Sequence, residues 1–214
     1  MKQKVDINDF LKNESDSTKE YVKKFLKENG IFDLNKEKQI TETAKLIAKF
    51  PWGESRTIEE LLVTKEFGTC TAKHSALQAC YELLGIKCHQ VVSTFRWGEQ
   101  GIKYPEELQK ILDEGEWDHG HNFLQIEKDD GIKIDVDITW NSNLNNYGFL
   151  TFPKNWDGKS SFVGLKINQR WDNTNMKLKK IELIESLSPE LRQRRERFLK
   201  LFVNWIHSIN HIIQ

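Results

Sequence analysis

The chain has 214 residues, enough for one substantial hydrophobic core or one core with a helical appendage. Lysine plus arginine and aspartate plus glutamate both number 32, a balance that gives no electrostatic case for nucleic acid or an anionic membrane as the main partner. Charged residues make up 30% of the chain, and seven Trp and twelve Phe supply core material, which excludes a disordered polymer. No stretch approaches the roughly 18 apolar residues of a membrane span. The start, Met1-Lys2-Gln3-Lys4-Val5-Asp6, is charged and has no apolar signal region, so a cytoplasmic protein is expected. The three cysteines, Cys70, Cys80 and Cys88, are an odd count and argue against a disulfide framework.

In chain order, residues 1–57 read as an N-terminal helical segment. Ser17, with Glu20 as its capping-box partner, predicts a helix through Tyr21, Val22, Phe25 and Leu26 that ends at Gly30. A second helix carries Ala44, Leu46, Ile47 and Phe50 and stops at Pro51. Thr57 and Glu60 repeat the capping-box pattern ahead of a short third helix.

Residues 58–170 read as the core. The run Phe67-Gly68-Thr69-Cys70 is a glycine turn leading into a helix. The stripe Ala72, Ala76, Leu77, Ala79, Cys80, Leu83 and Leu84 faces the core, and Gly85 suits the end of this helix. Ile86 to Phe95 predicts a strand. Residues 96–120 read as an acidic insertion, a solvated loop or a lid, with a short helix from Pro105 to near Gly115. His121 to Glu127 and Ile132 to Trp140 alternate apolar and polar residues around the turn Asp129-Asp130-Gly131, the clearest hairpin in the chain. Phe162 to Ile167 is a further candidate strand. Residues 171–214 read as a C-terminal segment packed on the same domain. Its last helix starts at Pro189 and carries Phe198, Phe202, Trp205, Ile206, Ile209 and Ile213 on one side.

The chemistry concentrates on Cys70. A cysteine at a helix start feels the positive end of the dipole, which favours the thiolate, and its backbone N–H can serve an oxyanion. Gly68 permits a tight approach. Side chains alternate along strands, so His121, Phe123 and Gln125 share a face, as do Asp135, Asp137 and Thr139. With a three-residue loop at 129–131, Lys128 lies opposite Ile132 and Asp137 lies diagonal to His121. A register shifted by two puts Asp137 directly opposite. Either way Asp137 is nearer than Asp135. Cysteine, histidine and aspartate in that order fit the nucleophile, base and orienter of a thiol acyl-transfer site; the competing reading is a cysteine packed at a helix start and a surface His–Asp pair of little energetic consequence.

Other residues compete for roles. His119 is an alternative base, although it precedes the strand. His74 reads as a helix-surface residue near the site. Zinc could draw on Cys70, His74, Cys80, Cys88, His89, His119 and His121, but no CxxC or HExxH pair organises them. Trp52, Trp97 and Trp117 are core or cleft aromatics. Arg192, Arg194, Arg195 and Arg197, near Glu190 and Glu196, do not make a nucleic-acid site.

Gly68-Thr69-Cys70 with its helix and Leu84-Gly85-Ile86, then His121-Asn122-Phe123-Leu124, then Asp137-Ile138-Thr139-Trp140, together resemble the transglutaminase-like superfamily, relatives of papain-like cysteine proteases. The resemblance covers roughly residues 58–142. The chain departs from the usual pattern at Asn122-Phe123, where Ala-Trp commonly follows the histidine, and at Ile138, where proline often follows the aspartate. The resemblance implies an α+β fold with a papain/transglutaminase-like core, in which the nucleophile-bearing helix packs on a small antiparallel sheet between N- and C-terminal helices. It also implies Cys70 as nucleophile, His121 as base and Asp137 as orienter. The expected activity is acyl transfer or hydrolysis at an amide of a protein or peptide substrate, as a protease, deamidase or transglutaminase does. This chemistry requires no metal or organic cofactor, no nucleic acid and no membrane. The alternative is a catalytically silent interaction module that keeps the fold.

Overall fold

The structure, a computed structural model, describes residues 16–128 and 130–211. The charged start of the chain, Asp129 of the hairpin turn and Ile213 of the last helix lie outside the described residues. Among the described residues, six α-helices surround one four-stranded antiparallel sheet, an α+β arrangement. In chain order they are α1 (Asp16–Glu28), α2 (Lys36–Ala48), α3 (Cys70–Leu83), β1 (Cys88–Phe95), α4 (Glu106–Asp113), β2 (His119–Glu127), β3 (Lys133–Val136), β4 (Gln169–Asp172), α5 (Met176–Glu185) and α6 (Pro189–His211). The strand order is β3-β2-β1-β4. No helix among the described residues is long and apolar enough to cross a membrane.

Local chemistry sets most boundaries. Ser17 lies inside the described part of α1, Asp16–Glu28, rather than ahead of it as its cap. Gly30, at φ +65°, ends that helical run in the left-handed conformation that glycine adopts without a Cβ penalty. Asn35 caps α2 through Lys38 N–H. Thr57 and Glu60 form the expected capping box: Glu60 N–H donates to the Thr57 hydroxyl, and Thr57 N–H donates to the Glu60 carboxylate. The element they open is a single π-type turn, Glu60–Thr64.

The hairpin adopts the first of the two registers read from the sequence: Leu124 pairs with Val136, Gln125 with Asp135, Ile126 with Ile134 and Glu127 with Lys133. It is shorter than the alternation suggested. After Val136 the chain leaves β2 and binds the 162 segment instead. Asp137 N–H donates to Phe162 O at 3.0 Å, and Phe162 N–H donates to Asp135 O at 2.8 Å. Phe162 makes only an isolated parallel bridge to Val136, so the strand expected over 162–167 is absent. The outer strand is β4, which pairs antiparallel with β1.

Two apolar clusters flank the sheet. The first joins Val22 and Leu26 of α1, Ala44 and Ile47 of α2 and the Ala72, Ala76, Leu77 and Cys80 stripe of α3 to Leu124, Ile126, Ile134, Val136 and Ile138. The second joins Phe198, Phe202, Ile206 and Ile209 of α6 to Trp52, Trp97, Leu108, Ile111, Leu112, Trp117 and Trp140. The 96–120 segment is therefore neither a lid nor a solvated loop. Its acidic residues face outward, while six of its apolar side chains help build the second cluster. All three tryptophans singled out, Trp52, Trp97 and Trp117, are core residues there. Two arginines of α6 are tied to local acceptors: Arg194 to Gly115 O and Glu190, Arg192 to Glu185 O and Leu187 O.

Candidate active site

Cys70 is the first residue of α3, and the turn that delivers it is fixed from behind. Gly68 N–H donates to Pro51 O, and Thr69 uses both its N–H and its hydroxyl on Ser55 O. The Thr69 hydroxyl in turn accepts from Ala72 N–H and caps the helix. A Cβ at position 68 would stand 2.9 Å from Ala72 Cβ and 3.2 Å from Leu61 Cδ1, so the close packing of this turn requires glycine. The Cys70 side chain is partly exposed.

His121 lies on β2 opposite Ser93 and is 2% exposed; Asp137, one residue beyond β3, is 1% exposed. The ring Nε2–H of His121 donates to Asp137 Oδ2 at 2.8 Å. That leaves Nδ1 as the nitrogen available to the neighbouring Cys70 sulfur. The Asp137 carboxylate is saturated: Oδ2 also accepts from Gly164 N–H at 3.0 Å. Oδ1 accepts from Thr139 N–H at 3.1 Å and the Thr139 hydroxyl at 2.6 Å. Asp135, the rejected orienter, is held by Arg170 through two bonds of 2.6 and 2.9 Å and by Gln125. The three residues singled out from the sequence are thus neighbours.

The electrostatics separate their charge states. Burial raises the Cys70 thiol, but the charge of Lys180 and the hydrogen bond and charge of His121 outweigh it and bring the thiol down to about 6. Burial disfavours the His121 imidazolium, yet the charge and hydrogen bond of Asp137, with help from Cys70, lift it to about 9. Burial also opposes charge on Asp137, but the charge and hydrogen bond of His121 and the hydrogen bond of Thr139 hold its carboxyl well below the usual carboxylate range. Near neutral pH the site holds a thiolate and an imidazolium, the activated form of a cysteine nucleophile. Cys88 makes the contrast: burial, with the nearby Glu82, pushes its thiol up to about 12.

His74 is a buried residue of α3, not a surface one. Its Nδ1–H donates to Cys70 O at 2.8 Å, and its Nε2 accepts from Ile138 N–H at 3.0 Å. Only the neutral ring satisfies both bonds. The 3.6 Å approach of Nε2 to Asp137 Oδ1 is therefore not an ion pair. Burial, with the charge of His121, pushes the ring down to about 3 despite Asp137. His74 clamps the first turn of α3 to the segment carrying Asp137. Lys73 braces the same segment from the other side. Its buried ammonium gives its three N–H donors to Ala48 O, Phe50 O and Thr139 O. Burial pushes this group down to about 7, against the pull of Asp137 and Cys70.

His119 is the first residue of β2, not a residue ahead of the strand. Its Nδ1 accepts from Trp117 Nε1–H, and its ring packs against Phe95 and Trp97. It belongs to the second cluster rather than to the Cys70–Asp137 line. No group of three or more His, Cys, Asp or Glu side chains among the described residues is arranged to hold a metal ion. Cys80 lies in the first core cluster, and both ring nitrogens of His74 are already engaged.

Two residues beside the sulfur escaped the sequence reading. Lys180 of α5 places Nζ 3.1 Å from Cys70 Sγ and 2.9 Å from the Thr71 hydroxyl, and it also donates to Asn122 Oδ1. Asn122 donates through Nδ2 to Cys70 O at 3.3 Å and accepts from the Thr71 hydroxyl at 3.2 Å. The neighbour of His121 was a visible candidate, since a polar side chain stands there in an otherwise apolar alternation. Nothing in the sequence singles out Lys180 from its neighbours Lys177 and Lys179. No known family model matches the chain, and no curated protein is significantly similar to it in sequence.

Proposed function

We propose that this chain is a cysteine-dependent enzyme of transglutaminase-like type, with a papain/transglutaminase-like core, acting at an amide carbonyl of a protein or peptide substrate. The Cys70 thiolate attacks the carbonyl, and the proton on His121 goes to the departing amine. Asp137 keeps the imidazole oriented and charged. The acyl group then passes from sulfur to water, giving hydrolysis or deamidation, or to an amine, giving transamidation. No metal or organic cofactor enters these steps. The three cysteines form no disulfide, which suits a reducing compartment such as the cytoplasm.

The observation that most supports this reading is the buried 2.8 Å His121–Asp137 bond beside a partly exposed thiol brought down to about 6. One observation favours the second reading, a silent interaction module: the Lys180 ammonium lies against the sulfur. Labelling with an electrophilic thiol probe at neutral pH, followed by peptide mapping, separates the two. Rapid labelling of Cys70 over Cys80 and Cys88, lost in His121→Ala, is the enzyme's signature. Equal, slow labelling of all three cysteines is the signature of the silent module.

A further inference from the structure

We infer that Lys180 is a further catalytic residue: together with the Cys70 backbone N–H, its ammonium receives the negative oxygen that forms when the Cys70 sulfur adds to a carbonyl. This rests on the reading of Cys70 as a nucleophile and supplies the second oxyanion donor that the site requires.

The first donor comes from the helix start. Cys70 is the first residue of α3, a position whose N–H has no partner within the helix, and it makes no other backbone hydrogen bond among the described residues. The second comes from α5. The oxygen of an adduct on Sγ lies only two bonds from the sulfur, so a cation in hydrogen-bond contact with that sulfur is within reach of it. Lys180 Nζ is 3.1 Å from Sγ. The Thr71 hydroxyl and Asn122 Oδ1 take its other two protons, which fixes the head instead of leaving it to sweep through solvent.

Several features build this position. Asn122 is itself locked, since its Nδ2 donates to Cys70 O while its Oδ1 serves Thr71 and Lys180. Helix α5 is capped by Asn175 and anchored where Met176 N–H donates to Gln90 Oε1 at 3.0 Å. Its next turns lie directly on β2 at Gly120. A Cβ there would meet Lys180 Cγ and Leu183 Cδ1 at 3.4 Å, which puts these two side chains in contact range of the strand. The charge is also uncommitted. Lys179 pairs with Glu182 and lies over the Trp171 ring, whereas Lys180 meets no carboxylate among the described residues. Among the described residues its only anionic neighbour is the thiolate.

In the reaction, the Sγ–C bond forms and the carbonyl π electrons move onto oxygen, where Lys180 and the Cys70 N–H hold them. Collapse of the adduct re-forms C=O and breaks the C–N bond, and the proton on His121 leaves with the amine. The oxygen charge replaces the thiolate charge beside Lys180, so the ammonium keeps an anionic partner throughout.

Two reactions of the same sulfur test the role. Acylation by p-nitrophenyl acetate builds an oxyanion; alkylation by iodoacetamide, a displacement at tetrahedral carbon, does not. In Lys180→Met the ratio of acylation to alkylation rate is expected to fall on the order of 10²-fold, the loss typical of one missing oxyanion donor. Lys180→Arg, which keeps a charged donor, should recover most of that ratio. A ratio in Lys180→Met within about 3-fold of the unsubstituted protein would mean that Lys180 only sets the thiolate population, which overturns the inference. A ratio that rises overturns it too, since Lys180 would then be an obstruction. Failure of unsubstituted Cys70 to react with either reagent instead overturns the nucleophile reading on which the inference rests.

Discussion

Replacing Asp137 by asparagine removes one charge and almost no volume, so its effect isolates the electrostatics of the site. The carboxylate accepts on Oδ2 from His121 and Gly164 N–H, and on Oδ1 from Thr139 N–H and its hydroxyl. An amide NH₂ on the Oδ1 side can be accommodated by rotation of the Thr139 hydroxyl, but it opposes Thr139 N–H. On the Oδ2 side, His121 can change tautomer, but Gly164 N–H is opposed. Either orientation leaves one buried backbone donor unpaired, at about 1–3 kcal/mol. The imidazolium also loses its partner. The difference between an ordinary imidazole and His121 at about 9 corresponds to roughly 3 kcal/mol of preferential binding of the charged ring. We expect Asp137→Asn to lose about 3–5 kcal/mol of stability at pH 7, the range for breaking a buried ion pair. In thermal unfolding followed by circular dichroism, that is a fall in Tm of about 6–20 °C for a domain of this size. Alkylation of Cys70 should slow in the same variant, because an uncharged ring no longer supports the thiolate. A Tm within about 2 °C of the unsubstituted protein would refute the pairing of Asp137 with a charged His121.

Lys73→Met strips two buried carbonyls and one half-buried carbonyl of their donor, and urea unfolding should show a loss of about 3 kcal/mol or more; a loss below about 1 kcal/mol would contradict the bracing role. The acid limb of the stability curve should report His74. Its folded-state value, about 3, lies below that of an unfolded imidazole, so its contribution is complete above about pH 6.5 and declines as the pH falls toward 3. His121 has the opposite sign: it is raised, so its contribution is complete below about 6.5 and is lost as pH rises through about 9. Between pH 6.5 and 4.5 the free energy of unfolding should therefore fall by about 2–3 kcal/mol, and His74→Gln should flatten that slope. An equal slope in the variant would place the proton uptake elsewhere.

The parts of the molecule legible in the sequence are those governed by local periodicity. The alternation on either side of Asp130-Gly131 excludes a slip of one residue, which would turn Ile126 and Ile134 to the wrong face, and it leaves two registers that both favour Asp137 over Asp135; the structure adopts the one with Leu124 opposite Val136. The length of β3 was not legible, because just where it ends the chain is also bound from its other side by Phe162, whose N–H and C=O meet Asp135 O and Asp137 N–H. The four-residue β4, Gln-Arg-Trp-Asp, has no alternating apolar pattern to announce it. In the 96–120 segment the acidic residues masked a helical stripe of Leu108, Ile111 and Leu112 that is buried in the second cluster. Cys70, His121 and Asp137 could be found because chemistry restricts the residue types that serve a thiol nucleophile. Lys180 could not, because it lies 110 positions downstream and reaches Cys70 through the packing of α5 on β1 and β2.

The claim at the centre of this account is that Cys70 is a thiolate at neutral pH, made so by Lys180, His121 and Asp137. The pH dependence of its alkylation by iodoacetamide, read at the Cys70 peptide by mass spectrometry, measures this directly. The account predicts a rate that rises with a midpoint near pH 6 and is flat by pH 8. A midpoint near about 8.5, that of an unperturbed thiol, would contradict it.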